Sequence, residues 1–393
     1  MNGKRVLLGV TGSIAAYKSV ELARELSRRG IAVEVVMTEA ATRFVCPLTF
    51  EALLGRPVTT GLFDRGAVGP LPHISLASAV DAVLVAPASA DAIARIAHGL
   101  ADDILCCTVL ACTRPLIVAP AMDEDMYANA ATQANIAILK QRGAVVVGPA
   151  SGVLASGRTG FGRMSHVHDI VGHTLKVLGR QGDLAGRRIV VTAGGTQEPI
   201  DPVRRIANRS SGKMGYALAE ACRDRGADVV LVSAPTSLRP PAGVEYVQVL
   251  TAQDMYEATE TAVRDAAALI MAAAVADYRP AQTADEKIKK GHGTLVLPLE
   301  RTVDILGSLR GDFVRVGFAA ESSDLEENAR HKLEEKKLDL IAANDISSGD
   351  SGFGSDDNRV TIIDSKGAVE RLPLLSKRDV ADHIVNRVVK LLG

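Results

Sequence analysis

One arrangement is written twice in this chain. KRVLLGV (residues 4–10) reads as a strand, TGSIAAYK turns it, SVELARELSRRG carries apolar residues at helical spacing and stops at Gly30, and IAVEVVMT is the next strand. Farther on, GRRIVVTAGG, a long polar loop, and YALAEACRDRGADVVLVSA repeat the order strand, loop, helix, Arg-Gly stop, strand. Strands that alternate with helices build a parallel sheet covered on both faces, and ligands bind beyond the carboxyl ends of its strands. Two such beginnings predict an α/β chain of two successive doubly wound (Rossmann-like) domains with mainly parallel sheets. At 393 residues the chain can bury both cores. The segment LGRQGDLAGRR, polar and with three glycines, suits a linker. The boundaries expected are therefore 1–178, a linker at 179–186, and 187–393.

Composition removes several function classes. Hydrophobic residues at 47% and charged residues at 23% belong to a soluble globular protein, expected in the cytoplasm. A formal net charge of -1 gives no field for nucleic acid or an anionic membrane, so an anionic ligand must meet local basic residues. Aromatic content of 3% without Trp leaves little material for base stacking. The N-terminal apolar run is broken by Gly9 and Gly12 and reads as a strand rather than a signal peptide. The longest apolar run considered as a span, residues 266–276, is far short of the roughly 20 residues a bilayer needs. Five cysteines without a CxxC pair read as buried reduced thiols, not as a disulfide framework or a zinc site.

Polar strand ends are where chemistry is expected: residues 9–18, 38–44, 87–91, 120–127 and 151–164 in the first half, the last an irregular Gly- and Ser-rich segment. TGSIAAYK puts Ser13 and backbone N–H groups at a helix start without GxGxxG spacing, which suits a mononucleotide such as FMN better than NAD and disfavours a dehydrogenase. In the second half residues 189–220 run from a buried strand through a loop with two glycines and two prolines to Ser210, Ser211 and Gly212. A helix begins near Lys213. Asn208, Arg209 and Lys213 add donors and charge to this phosphate-type loop. A plain strand-to-helix crossover is the bland alternative, and the basic residues between the two glycine clusters weigh against it. EKIKK places Lys287, Lys289 and Lys290 in one short run, which alone would be a solvated basic face. Closely following AVADYR, it reads better as a clamp for a triphosphate.

GSIAAYK, TEAATRF, HISL, PASAD and PAMDEDMY resemble the homo-oligomeric flavin-containing cysteine decarboxylases over most of residues 4–175. The resemblance implies FMN near Ser13, Thr38 and Ser89, and His73 as a catalytic residue beside the flavin. Alone, His73 would be a loop histidine without a role. Two positions depart from that family. Asp123 stands where the substrate-binding motif has Asn, and an ionised aspartate would repel a substrate carboxylate. Ser156 stands where the flap of the pantothenoylcysteine members has a catalytic cysteine, and a hydroxyl is a poor proton donor beside a thiol. The two replacements predict weakened or lost reductive decarboxylation.

From residue 186 onward, AGGTQEPIDPVRRIANRSSGKMG, AAAVADYRP, DEKIKK, GFAAE, LDLIAANDI and GFGSDDN are similar, in order and spacing, to phosphopantothenate–cysteine ligases. The joined order resembles the bacterial bifunctional coenzyme A biosynthesis family over essentially the full length. The resemblance implies CTP-dependent ligation of 4'-phosphopantothenate with cysteine through an acyl-cytidylate, with Mg2+, followed by FMN-dependent decarboxylation to 4'-phosphopantetheine. It implies Asn208 and Lys287 as catalytic residues. It also implies nucleotide or substrate contacts at Met271, Ala272, Ala273, Asp277, Val303, Asp304, Ile305, Leu306, Phe318, Lys332 and Lys336. RTVDI replaces the family's usual KNPDI, with Asp304 and Ile305 kept. Metal ligands stay unassigned. Partners implied are the small-molecule substrates and other copies of the chain, with trimeric flavin domains and dimeric ligase domains. The alternative is a ligase whose first domain is a flavin-binding oligomerisation module.

Overall fold

Runs of Val, Leu, Ile and Ala set between helices with one apolar face dictate sheets covered on both sides, and the computed structural model has that layering in two units, Met1–Gly179 and Arg180–Gly393. Residues 3–63, 71–290, 294–321, 324–345 and 354–393 are described. In the first unit the strands are β1 (Arg5–Val10), β2 (Ala32–Met37), β3 (Val58–Thr59), β4 (Ala82–Ala88), β5 (Leu116–Pro120) and β6 (Val145–Val146). Among the described residues they form one parallel sheet in the order β3-β2-β1-β4-β5-β6. Successive residues serve opposite faces: Val6, Leu8 and Val10 pack with Leu22 and Leu26, whereas Leu7 packs with Val83, Ile93 and Leu105. The order reverses between β1 and β4, which opens a crevice at the carboxyl edge there.

The segment 150–163, expected to be irregular, is instead an antiparallel hairpin of β7 (Ala150–Val153) and β8 (Thr159–Arg163). Its periodicity is hidden because glycines, not apolar side chains, face the protein. A Cβ on Gly160 would fall 2.2 Å from the Glu124 carboxyl, and one on Gly162 would fall 2.2 Å from the Met122 carbonyl. Residues 90–111 carry two helices, Ala90–His98 and Ile104–Ala111, separated after Gly99 in the left-handed conformation.

In the second unit β9 (Arg188–Ala193) is followed by the hairpin of β10 (Gln197–Pro199) and β11 (Arg205–Ala207), then by β12 (Asp228–Ser233), β13 (Glu245–Gln248) and β14 (Ala268–Met271). A second hairpin joins β15 (Tyr278–Pro280) to β16 (Leu299–Arg301). β17 (Val314–Glu321), β18 (Leu340–Asp345), β19 (Asp357–Asn358), β20 (Val360–Asp364), β21 (Val369–Arg371) and β22 (Leu375–Ser376) complete the order. The main sheet runs β13-β12-β9-β14-β17-β18-β20-β21 among the described residues. It is parallel as far as β18 and antiparallel beyond. Residues 179–186, expected as a polar linker, include Leu184, fully buried in the second unit's core, and Asp183, which pairs with Arg225. Polar composition concealed that anchor.

No helix among the described residues is long and apolar enough to cross a membrane. All five cysteines are free. Burial pushes the Cys106 and Cys222 thiols up to about 12, as suits inert core residues, whereas Cys46 is exposed.

Candidate active sites

At the carboxyl edge of the first sheet the small polar residues turn out to be helix caps. Ser13 Oγ accepts from the Ala15 N–H at 3.2 Å where a short turn, Ile14–Ala16, feeds the helix Tyr17–Arg28. Thr38 and Ser89 do the same at Glu39–Thr42 and Ala90–His98, accepting from Ala41 and Ala92. Thr11 binds the reversal point together, donating to Pro87 O at 2.7 Å and accepting from the Ser89 N–H at 3.0 Å. Gly12 lets the first loop approach the second, since a Cβ there would sit 2.6 Å from that of Ala40. Ser13, Thr38 and Ser89 thus lie on the loops that follow β1, β2 and β4. His73 is the second residue of the helix Pro72–Ala79, and its buried Nδ1 has no hydrogen-bond partner among the described residues.

The two departures from the decarboxylase pattern are brought into contact. Ser156, in the tip of the β7–β8 hairpin, donates to Asp123 Oδ2 at 2.6 Å. Arg158, which sequence reasoning missed, donates from Nη2 to Asp123 at 2.8 Å and to Asp125 at 2.7 Å. The Ser156 hydrogen bond, aided by the Asp125 N–H and the Arg158 charge, holds the Asp123 carboxyl below the usual carboxylate range. Asp123 is therefore ionised at neutral pH, and its charge faces a guanidinium.

In the second unit two adjoining cavities open at the carboxyl edge of the parallel strands. The first, about 600 Å3, is lined by Met271, Ala273 and Asp277, by the run Val303, Asp304, Ile305 and Leu306, and by Phe318, Lys332 and Lys336. The second, about 360 Å3, is lined by Asn208, Ala272 and the segment 210–215 that starts the helix Lys213–Asp224. Ala273, Val275, Asp277, Phe318 and Lys332 line both, so the two are parts of one cleft. The floor between them is the segment after β14. Ala273 N–H donates to Thr192 Oγ1, Ala274 N–H to Gly194 O, and Ala276 N–H to Thr196 Oγ1. Asn208 Nδ2 donates to Val275 O at 2.9 Å.

The cationic side chains are held in place. Lys332 Nζ donates to Phe318 O at 2.8 Å, and Lys336 Nζ to Asp304 at 2.7 Å. Burial would raise the Asp304 carboxyl, but the Lys336 hydrogen bond and the Gly307 N–H outweigh it and hold it low. Lys213, first residue of its helix, reaches Gly354 O and Asp356. Lys287, Lys289 and Lys290 are exposed, and Lys287 lines neither cavity. Sequence reasoning missed Asn344, Asn358 and Lys377 in the second cavity. The Oδ1 atoms of both asparagines are buried with no hydrogen-bond partner among the described residues. They belong to LDLIAANDI and GFGSDDN, motifs noticed without a role; Ile346, Gly352 and Phe353 of those motifs lie outside the described residues. No group of three or more His, Cys, Asp or Glu among the described residues could hold a metal ion.

Residues 1–179 match the family model described as Flavoprotein, and residues 184–392 match the DNA/pantothenate metabolism flavoprotein C-terminal domain. The coenzyme A biosynthesis bifunctional protein CoaBC of Vibrio vulnificus (strain CMCP6) is 46% identical over 397 residues, covering 100% of this chain and 98% of the relative. Proteins of the same name from Bacillus subtilis (strain 168) and Escherichia coli (strain K12) are each 44% identical over 397 residues. They cover 100% and 98% of this chain, and 98% and 97% of their own lengths.

Proposed function

Because the chain belongs to the family of bifunctional coenzyme A biosynthesis proteins, whose flavoprotein half decarboxylates and whose second half ligates, we propose that its second unit joins 4'-phosphopantothenate to cysteine at the expense of CTP. The observation that carries this is the single cleft in which Asn208, Asp277, Phe318 and Lys332 converge at the end of β9, β14 and β17. The larger cavity suits the nucleotide, with Lys332 and Lys336 toward its phosphates. The smaller suits the acyl chain, whose hydroxyl and amide N–H groups are donors for the unpartnered Oδ1 atoms of Asn344 and Asn358. The substrate carboxylate attacks the α-phosphorus of CTP and pyrophosphate leaves; the cysteine amine then attacks the acyl carbon and CMP leaves. Asn208 handles the acyl-cytidylate, Lys287 offsets phosphate charge from the mouth of the cleft, and Mg2+ enters with the nucleotide.

The first unit then decarboxylates the ligated product. The residues at its edge fit FMN: Ser13 and Ser89 start helices at the reversal point, and the unpartnered Nδ1 of His73 is free to meet a ligand. FMN, when bound, supplies the two-electron oxidation of the cysteine moiety. Asp123 and Ser156 stand at the carboxylate end, with Arg158 compensating part of their charge. Ile14, Tyr17, Phe44 and Leu48, on the segments that follow Ser13 and Thr38 in the chain, are exposed apolar residues suited to self-association of the flavin units as trimers. The hairpins β10–β11 and β15–β16, with exposed Val203, Tyr278 and Leu299, suit pairing of the ligase units as dimers. CMP release that requires CTP, phosphopantothenate and cysteine together tests the ligase reading. Release of a nucleotide without cysteine-dependent product, or no release at all, would sink it.

A further inference from the structure

Asp201 has its side chain fully buried, and both carboxylate oxygens are in use. Oδ1 accepts from the backbone N–H groups of Val203 at 2.9 Å and Arg204 at 2.8 Å. Oδ2 accepts from Arg204 Nε at 2.9 Å, from Arg204 Nη2 at 2.5 Å, and from the N–H of Ile288 at 3.2 Å. Arg204 Nη2 also donates to the carbonyl of Ile288 at 3.0 Å. One peptide residue is thus gripped at its N–H and its C=O by a pair more than 80 positions earlier in the chain.

The same turn holds the rest of the segment. Thr283 Oγ1 donates to Pro199 O at 3.2 Å and the Ala284 N–H to Ile200 O at 3.0 Å, so residues 283–288 lie along residues 199–204. Ile288 separates Lys287 from Lys289, whose side chains are exposed. A buried carboxylate is an expensive tether unless fully paired, and this one is paired to the segment that carries the lysines. A lysine on a four-carbon stem sweeps a wide volume, and a fixed backbone restricts that sweep.

We infer that Asp201, acting with Arg204 through Ile288, is the positioning residue for Lys287 and sets where that ammonium stands at the ligase cleft. The inference rests on the ligase reading of Lys287. Four full-length proteins decide it: the parent, Asp201→Asn, Lys287→Gln and the double variant, followed by CMP release with CTP varied. Asp201→Asn is expected to lower kcat/KM for CTP about tenfold in the parent and to change it less than about twofold in the Lys287→Gln background. An equal loss in both backgrounds overturns the inference, because a merely structural role is additive. An unchanged Lys287→Gln overturns the role of Lys287 instead. The anchor itself is read without activity: trypsin cleavage after Lys287 and Lys289 is expected to accelerate several-fold in Asp201→Asn at unchanged global fold, and an equal rate overturns it. Should Asp201→Asn fail to fold, Arg204→Lys keeps a cation beside Asp201 but gives up the guanidinium grip on Ile288, and it carries the same two readouts.

Discussion

In the proposed decarboxylase site, Asp123 sets a carboxylate where the substrate would bring another, and its surroundings do not protonate it. The Ser156 hydroxyl, the Asp125 N–H and Arg158 all favour the ionised form. The Ser156 proton is thereby committed to Asp123, and a hydroxyl donating to an anion is a still weaker acid. Asp123→Asn should lower KM for phosphopantothenoylcysteine about tenfold, equivalent to ~1.4 kcal/mol, because an amide donates where the anion repels. CO2 release measured against substrate concentration checks this, and an unchanged or raised KM would show that Arg158 already neutralises the site. Arg158→Gln should move KM the opposite way. Asp123 and Ser156 could be singled out in the sequence because each breaks a motif. Arg158 could not, since it stands between glycines in an apparently irregular segment and acquires its meaning only when a hairpin swings it across 35 residues to Asp123. Asn344, Asn358 and Lys377 escaped notice for a related reason: an antiparallel edge and a short strand pair gather them at one cavity, and neither element has a strong period.

Strand, loop and helix together determine where the phosphate-type loop can stand, and glycine sets the distances. Gly212 has φ +76°, and a Cβ there would lie 2.6 Å from Thr236 Cγ2. Gly215 one turn later lets the helix Lys213–Asp224 sit against β9, for its Cβ would fall 2.6 Å from that of Ala193. Gly212→Ala should cost ~1–2 kcal/mol, seen as a fall of ~2–8 °C in the melting of the ligase unit, together with a loss of CMP release. An unaltered melt would mean that the loop relaxes freely. The strand-loop-helix order was readable because its periods are local. The docking of residues 283–288 on residues 199–204 was not, because it is made by backbone carbonyls and one buried aspartate. That aspartate has a pH signature. The Arg204 hydrogen bonds and the N–H groups of Val203, Arg204 and Ile288 hold the Asp201 carboxyl far below the usual range. Its folded value lies below its unfolded one, so its contribution is complete above about pH 4 and is lost as pH falls toward the folded value. The melting difference between the parent and Asp201→Asn should therefore stay constant from about pH 8 to pH 5 and shrink below about pH 4. A difference that grows on acidification would contradict the assignment.

The molecule divides by its cores. Among the described residues, the clusters around β1 and β4 end at Leu178 and those around β9 and β14 begin at Leu184. Among the described residues each unit completes its own sheets and buries its own helices, which is the ground for expecting each half to fold alone. Production of residues 1–179 and 180–393 as separate proteins should give two cooperative melts. The second fragment should release CMP from CTP, phosphopantothenate and cysteine at a rate within about threefold of the full chain. The first, supplied with FMN and the ligated product, should carry whatever CO2 release the full chain shows. Because the Asp201–Arg204 anchor and Lys287 lie in the same fragment, the isolated second half should retain the coupling between them. If instead either fragment fails to fold while the full chain does, or CMP release is lost on cutting, the units depend on one another for structure, and separate cores do not make them independent.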